Sequence, residues 1–178
     1  YKIAMLSDEE KENGVIACSA GNHAQGVAYA AKIYGSKAII VMPTTTPLIK
    51  VNRTKAYGAE VVLYGDVYDD ACEMARKMAE EKGCTFIHPF DDLRVATGQG
   101  TIAMEIFKEL PLVDYILVPI GGGGLATGVS TLAKLLNGMI KPTKGEILVD
   151  GLNTADEKNE IPIRRKVGMV FQNPDNQI

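Results

Sequence analysis

The chain has 178 residues, 46% hydrophobic and 23% charged, with a formal net charge of -3. That length buries the core of one domain, or of one and a fraction. The mild acidity argues against nucleic acid or an anionic membrane surface as a partner, and no apolar run reaches the roughly 20 residues of a spanning helix. Tyr1 to Glu10 lacks a signal-peptide pattern, and Tyr1 in place of Met makes the chain read as an excised piece. Cys18, Cys72 and Cys84 are an odd set without metal-ligand spacing. They predict buried thiols in a reducing cytoplasm and no metal centre.

Ser7 to Asn13 reads as a short polar helix stopped by Gly14, and Val15 to Ala20 as a strand. A helix is expected from Asn22 to Tyr34, with Val27, Ala30, Ala31 and Tyr34 as its apolar stripe. Lys37 to Met42 is the second strand. Thr46 is placed to cap a helix that opens at Pro47 and ends at Gly58. Glu60 to Tyr64 is the third strand. Asp66 or Asp69 then caps a helix that turns Ala71, Cys72, Ala75, Met78 and Ala79 inward and ends at Gly83. Thr85 to Ile87 is a short fourth strand, and His88 to Asp92 a loop. A helix is expected from Gly100 to Leu110, and the apolar run Tyr115 to Ile120 reads as a buried strand. Leu125, Val129, Leu132, Leu135 and Leu136 mark a further helix stopped by Gly138. Glu146 to Val149 reads as a strand, Asp150 to Ile161 as polar loop, and Val167 to Phe171 as a last strand. Strands and helices alternate, with connections too long for hairpins. This predicts an α/β fold, a three-layer sandwich around a mainly parallel sheet.

Four glycines, Gly121 to Gly124, separate the Tyr115–Ile120 run from the helix after it. Glycine lets backbone N–H groups approach an oxyanion, and the helix N-terminus adds positive potential. A phosphate-sized anion is the expected guest, bound weakly because no cationic side chain is evident nearby. His23 and His88 read as structural, hydrogen-bonded in their loops. The Asp69–Asp70 and Asp91–Asp92 pairs suit helix caps, and Arg164 to Lys166 a solvated strand entry.

Several motifs carry a specific resemblance. Ser-Ala-Gly-Asn-His-Ala-Gln-Gly at 19–26, Ile-Val-Met-Pro at 40–43, Tyr-Gly-Ala-Glu-Val at 57–61, His-Pro-Phe-Asp at 88–91, Gly-Gln-Gly-Thr at 98–101 and Gly-Gly-Gly-Gly-Leu at 121–125 follow in order. On these, residues 1–129 resemble threonine dehydratases of the fold-type II pyridoxal-phosphate enzymes. The resemblance implies a cofactor phosphate on Gly121, Gly122, Gly123, Gly124 and Leu125. It implies a substrate-carboxylate loop at Ser19, Ala20, Gly21, Asn22 and His23, with Asn22 also near the pyridine ring. Related racemases carry serine at position 20 as a proton donor, so Ala20 points to dehydratase chemistry.

Residues 130–178 resemble the ATPase subunits of ABC transporters, closest to the energy-coupling-factor type. The motifs are Ser-Thr-Leu-Ala-Lys-Leu-Leu-Asn-Gly at 130–138, Lys-Pro-Thr-Lys-Gly-Glu-Ile-Leu-Val-Asp-Gly at 141–151 and Arg-Arg-Lys-Val-Gly-Met-Val-Phe-Gln at 164–172. Ser130 would then follow a P-loop and Gln172 would be the Q-loop glutamine. Residues 123–130 have the spacing of G-x-x-x-x-G-K-S/T, but Val129 stands at the lysine position.

Together these resemblances imply an engineered or recombinant chimera, a single hybrid α/β domain over 1–178 that joins a pyridoxal-phosphate-enzyme domain to a P-loop NTPase fragment near 129–131. No lysine matches the Schiff-base motif of the first family, and Val129 cannot replace the P-loop lysine. The expectation is therefore a folded protein with no catalytic residue, no dehydratase activity and no ATPase activity. Weak binding of phosphate, sulfate or pyridoxal phosphate at the glycine loop is expected to remain. The alternative is a pyridoxal-phosphate-dependent threonine or serine dehydratase fragment. The Val167–Phe171 strand is expected to lie parallel to Tyr115–Ile120 and to offer a second copy an edge for homodimer formation.

Overall fold

The computed structural model describes residues 1–110, 113 and 115–165. The Val167–Phe171 strand and Gln172 lie outside them. The chain divides into two compact units, Tyr1–Val95 and Ala96–Ile178. The expected join near 129–131 falls inside the second.

In the first unit a 3-10 turn, Ile3–Met5, precedes α1 (Asp8–Asn13). Ser7 caps α1 reciprocally: its hydroxyl accepts from the Glu10 N–H at 3.1 Å, and the Glu10 carboxylate accepts from the Ser7 N–H at 2.7 Å. Strands β1 (Val15–Cys18), β2 (Ala38–Met42), β3 (Glu60–Leu63) and β4 (Thr85–Phe86) form one parallel sheet in the order β3-β2-β1-β4. Val15 stands opposite Ala38 and Thr85, and Ile39 opposite Glu60. Helices α2 (Asn22–Ile33), α3 (Leu48–Ala56) and α4 (Tyr68–Lys82) connect the strands.

Alternation across the pleat explains the layers. Val15, Ala17, Ile40 and Met42 pack with Ala24, Val27, Ala28 and Ala31 of α2 and Val51 of α3. Ile16, Cys18, Ile39 and Val41 point the other way, onto Ala71, Ala75 and Ala79 of α4. Every residue of β1 and β2 is buried, which is why both read as unbroken apolar runs. The expected three layers and parallel sheet are present in this unit.

Three local expectations are corrected here. Thr46 does not cap α3. Its N–H closes a turn onto the Pro43 carbonyl at 3.0 Å, Pro47 takes the cap position, and the buried Thr46 hydroxyl has no partner among the described residues. Neither Asp66 nor Asp69 caps α4. Val67 holds that position, and the Asp70 carboxylate reaches back to accept the Asp66 N–H at 3.2 Å. Helix α5 (Leu93–Glu109) opens well before Gly100, because the Asp92 carboxylate accepts the N–H groups of Arg94 and Val95 at 2.8 and 3.1 Å.

The second unit holds most of α5, then α6 (Gly124–Leu136), strands β5 (Leu148–Val149) and β6 (Leu152–Asn153), a 3-10 turn at Glu157–Asn159 and α7 (Glu160–Arg164). The expected strand at Tyr115–Ile120 is not formed. Residues 115–120 carry no regular structure, and Tyr115, Leu117 and Ile120 are 78%, 96% and 63% exposed. A strand exists only where neighbours take its N–H and C=O groups, and among the described residues no strand pairs with this run. The expected Asp150–Ile161 loop is also corrected. Asp150 (φ 52°) and Gly151 (φ 76°) make the two-residue turn of an antiparallel hairpin, with Val149 opposite Leu152.

Two glycines set how α5 and α6 meet. A Cβ at Gly128 would sit 2.4 Å from the Ala96 carbonyl oxygen, and one at Gly100 would sit 3.2 Å from the Gly128 carbonyl oxygen. The two backbones touch, which only glycine permits.

Candidate functional site

Helix α6 follows directly from the glycine loop. Its cap residue is Gly123, at φ 88°, in the left-handed region, and no side chain caps it. The first intrahelical bond runs from the Thr127 N–H to the Gly123 carbonyl at 2.8 Å. The N–H groups of the turn before it, at Gly123 to Ala126, have no intrahelical acceptor. Gly121 and Gly122 are exposed, and nothing lies within 4 Å of a Cβ built at Gly121 or Gly123. The cradle is therefore open, donor-only and at the positive end of a 13-residue helix. It suits an oxyanion, and these residues fit the phosphate of pyridoxal phosphate.

The same geometry corrects the nucleotide reading of 123–130. In a P-loop the chain between the two glycines wraps a phosphate. Here residues 124–128 are already helical, and Gly128 serves the contact with α5. Val129 is 6% exposed and packs inward. The Ser130 hydroxyl donates to the Thr127 carbonyl at 3.4 Å, a bond within the helix. No P-loop is formed at these residues.

The other predicted loop belongs to the first unit, at the carboxyl end of β1. The Ser19 N–H donates to the Val41 carbonyl at 3.2 Å, extending the β1–β2 pairing by one residue. The Ser19 hydroxyl accepts the Gly21 N–H at 3.2 Å, which closes the turn into α2. Gly21 caps α2 without a side-chain bond, so the first-turn N–H groups face outward beside the exposed Asn22. Ala20 brings no proton donor to the turn. His23, on the first turn of α2, bonds through Nε2 to the Ile87 carbonyl at 3.0 Å. Burial pushes its pKa down, against the opposing effect of that carbonyl. The ring is neutral at pH 7, and Nε2 carries the proton because a carbonyl only accepts. His23 thus ties α2 to the segment after β4.

His88 is structural as expected, its Nδ1 accepting the N–H groups of Phe90 and Asp91 at 3.3 and 2.7 Å. Lys2 pairs with Asp92 and donates to the Phe86 carbonyl at 3.1 Å, a contact that sequence spacing could not reveal. All three cysteines are free, with Cys18 buried and Cys72 and Cys84 half-buried. Among the described residues no helix is long and apolar enough to cross a membrane.

Each unit thus carries one open helix N-terminus, at Gly21 after β1 in the first and at Gly123 after the glycine loop in the second. The family described as pyridoxal-phosphate dependent enzyme matches residues 1–160, and the chain belongs to it. That match spans the expected join near 129–131. The chain is 52% identical over 140 residues to the L-threonine ammonia-lyase of Thermotoga maritima, covering 79% of this chain and 35% of that protein. It is 53% identical over 139 residues to the biosynthetic L-threonine dehydratase of Pasteurella multocida, covering 78% and 27%. Among solved structures, the processed form of threonine deaminase isoform 2 from Solanum lycopersicum matches with TM-score 0.70 and 49% identity, over 75% of this chain and 39% of that one. Maize serine racemase matches with TM-score 0.73 and 39% identity, over 76% and 41%. The chain spans 27–35% of the length of the two curated relatives.

Proposed function

We propose that the chain forms part of the cofactor and substrate site of a pyridoxal-phosphate-dependent threonine dehydratase, a lyase. The observation that carries this reading is the 52% identity over 140 residues to a threonine ammonia-lyase. Backbone N–H groups of Gly121 to Leu125 hold the cofactor phosphate. The Ser19–His23 turn takes the substrate carboxylate on the open N–H groups of α2, with Asn22 at the pyridine ring. Bound pyridoxal phosphate supplies an electron sink for cleavage at the substrate Cα. Ala20 offers no hydroxyl to return a proton on the opposite face, which favours elimination over racemisation. No lysine of this chain matches the Schiff-base motif, so the claim for the chain itself is binding and not turnover.

The test is a titration with inorganic phosphate and with pyridoxal phosphate, followed by the amide resonances of Gly121–Leu125. Those resonances should shift, with affinity for phosphate in roughly the millimolar range. Gly122→Val should remove the response by blocking close approach. Resonances that stay put while others move would place the anion elsewhere.

The second reading joins a dehydratase-like part to an ATPase-like part within one hybrid domain near 129–131. It is supported by the ordered motifs at 141–151 and 164–172, and the family match through residue 160 weighs against it. It predicts that restoring threonine-dehydratase sequence over 130–165 raises the unfolding midpoint, and an unchanged midpoint would count against a join. Self-pairing through Val167–Phe171 and residence in the cytoplasm are likewise proposals. Sedimentation of the full chain against one ending at Arg165 tests the former.

A further inference from the structure

Helix α4 lies close on β1 because the residues it turns inward are small. Ala71 and Ala75 are fully buried and place only methyl groups between helix and sheet. Two cysteines border this narrow layer. Cys18, the last residue of β1, directs its Sγ to the Tyr68 carbonyl in the first turn of α4, at 3.6 Å. Cys72, one helical turn beyond Tyr68, packs against the same cluster, and its N–H bonds the Tyr68 carbonyl that the Cys18 Sγ meets. Cys84 is apart from them and donates to the Asn13 carbonyl at 3.2 Å.

We infer that Cys18 and Cys72 are an oxidisable pair, converted by a peroxide into a disulfide that staples β1 to α4. The two sulfurs have separate parts. Cys72 is half-buried and meets the oxidant. Cys18 is buried, and burial together with Cys72 pushes its thiol up to about 12, so it stays protonated and inert to outside reagents. The Cys72 thiolate attacks one peroxide oxygen, breaking the O–O bond and leaving a sulfenic acid and hydroxide. The proton released by Cys72 turns that hydroxide into water. The Cys18 sulfur then attacks the sulfenic sulfur, the S–O bond breaks, and the Cys18 proton leaves with the hydroxyl as a second water. Two electrons pass from the two sulfurs to one peroxide.

The bridge ends one residue before Ser19, whose N–H continues the β1–β2 pairing. The strand end that carries the Ser19–His23 turn is therefore the part that it holds.

The test uses the folded chain, treated with a small excess of hydrogen peroxide and then alkylated under denaturant. The expected product is lighter by two hydrogen atoms, is alkylated only at Cys84, and yields one linked peptide pair containing Cys18 and Cys72. Cys84→Ala should give the same bridge. Cys72→Ala should leave Cys18 fully alkylatable after oxidation. Oxidation of the chain in urea should instead favour Cys72 with Cys84, the closest in sequence, because the shorter loop closes more readily. A bridge that includes Cys84 in the folded chain would overturn the inference. So would Cys72 passing to sulfinic acid while Cys18 remains a thiol, or identical products from folded and unfolded protein.

Discussion

The two units spend apolar residues differently. In Tyr1–Val95 the runs Val15–Cys18 and Ala38–Met42 lie between neighbours in a parallel sheet and are buried throughout. In the second unit the equally apolar run at 115–120 has no paired neighbour among the described residues and stands open to solvent. Burial there falls to small or isolated residues such as Ala103, Gly124, Gly128, Val129 and Ile163. Composition makes a segment able to be a strand, but pairing makes it one.

The largest test of this contrast is a pair of truncations. Ile40→Ala, in the centre of the sheet, should cost about 3 kcal/mol or more by denaturant unfolding. Leu117→Ala should change stability by about 0.5 kcal/mol or less. Equal losses at the two positions would mean that the second run is buried after all. Next in size is Gly128→Val, which sets a branched side chain against the Ala96 carbonyl and should destabilise by about 1–3 kcal/mol. Gly121→Val meets open space and should leave the melting temperature nearly unchanged. Asp92→Ala removes the cap of α5 and should cost about 1 kcal/mol. Asp92→Asn should keep most of that, because an amide oxygen still accepts the two N–H groups, and a full loss would assign the effect to the Lys2 pair instead.

The smallest effect is a tilt with pH. Burial holds His23 below its ordinary value of 6.5, so on acidification the unfolded chain takes up the proton first. The stability contributed by neutral His23 is complete above pH 6.5 and is lost as pH falls from there through the lowered folded value. Urea midpoints at pH 7 and pH 5 should fall less in His23→Gln than in the parent chain. An equal fall would mean that His23 does not titrate in this range.

Most of the first unit was legible because its signals are local. Gly14, Gly35, Gly58 and Gly83, all at positive φ, stop elements where the sequence says they stop. The inward face of α4 also follows its alanines. The misses divide: those at the starts of α3, α4 and α5 turned on bonds within four residues, and that at Tyr115–Ile120 on partners far away in the chain. The helix expected from Gly100 begins at Leu93, opened by the Asp92 cap just before it. Tyr115–Ile120 looks like a strand until its neighbours are counted. The hairpin is different, because Asp150-Gly151 between two apolar pairs is itself a local turn signal. For the candidate site, the glycine loop was legible as an open helix N-terminus. The nucleotide-type reading of the same residues failed because glycine spacing does not reveal whether the chain between two glycines is coiled or already helical.

The open run at 115–120 has a colloidal consequence. Six uncharged residues, most of them β-branched, aromatic or otherwise apolar, form the kind of short segment that stacks with copies of itself. Its built-in brake is Pro119, which cannot donate to a neighbouring strand and so interrupts any ladder four residues after Tyr115 begins it. Shelf life at high concentration should therefore depend on Pro119, a residue that belongs neither to the glycine loop at 121–124 nor to any strand of the buried sheet.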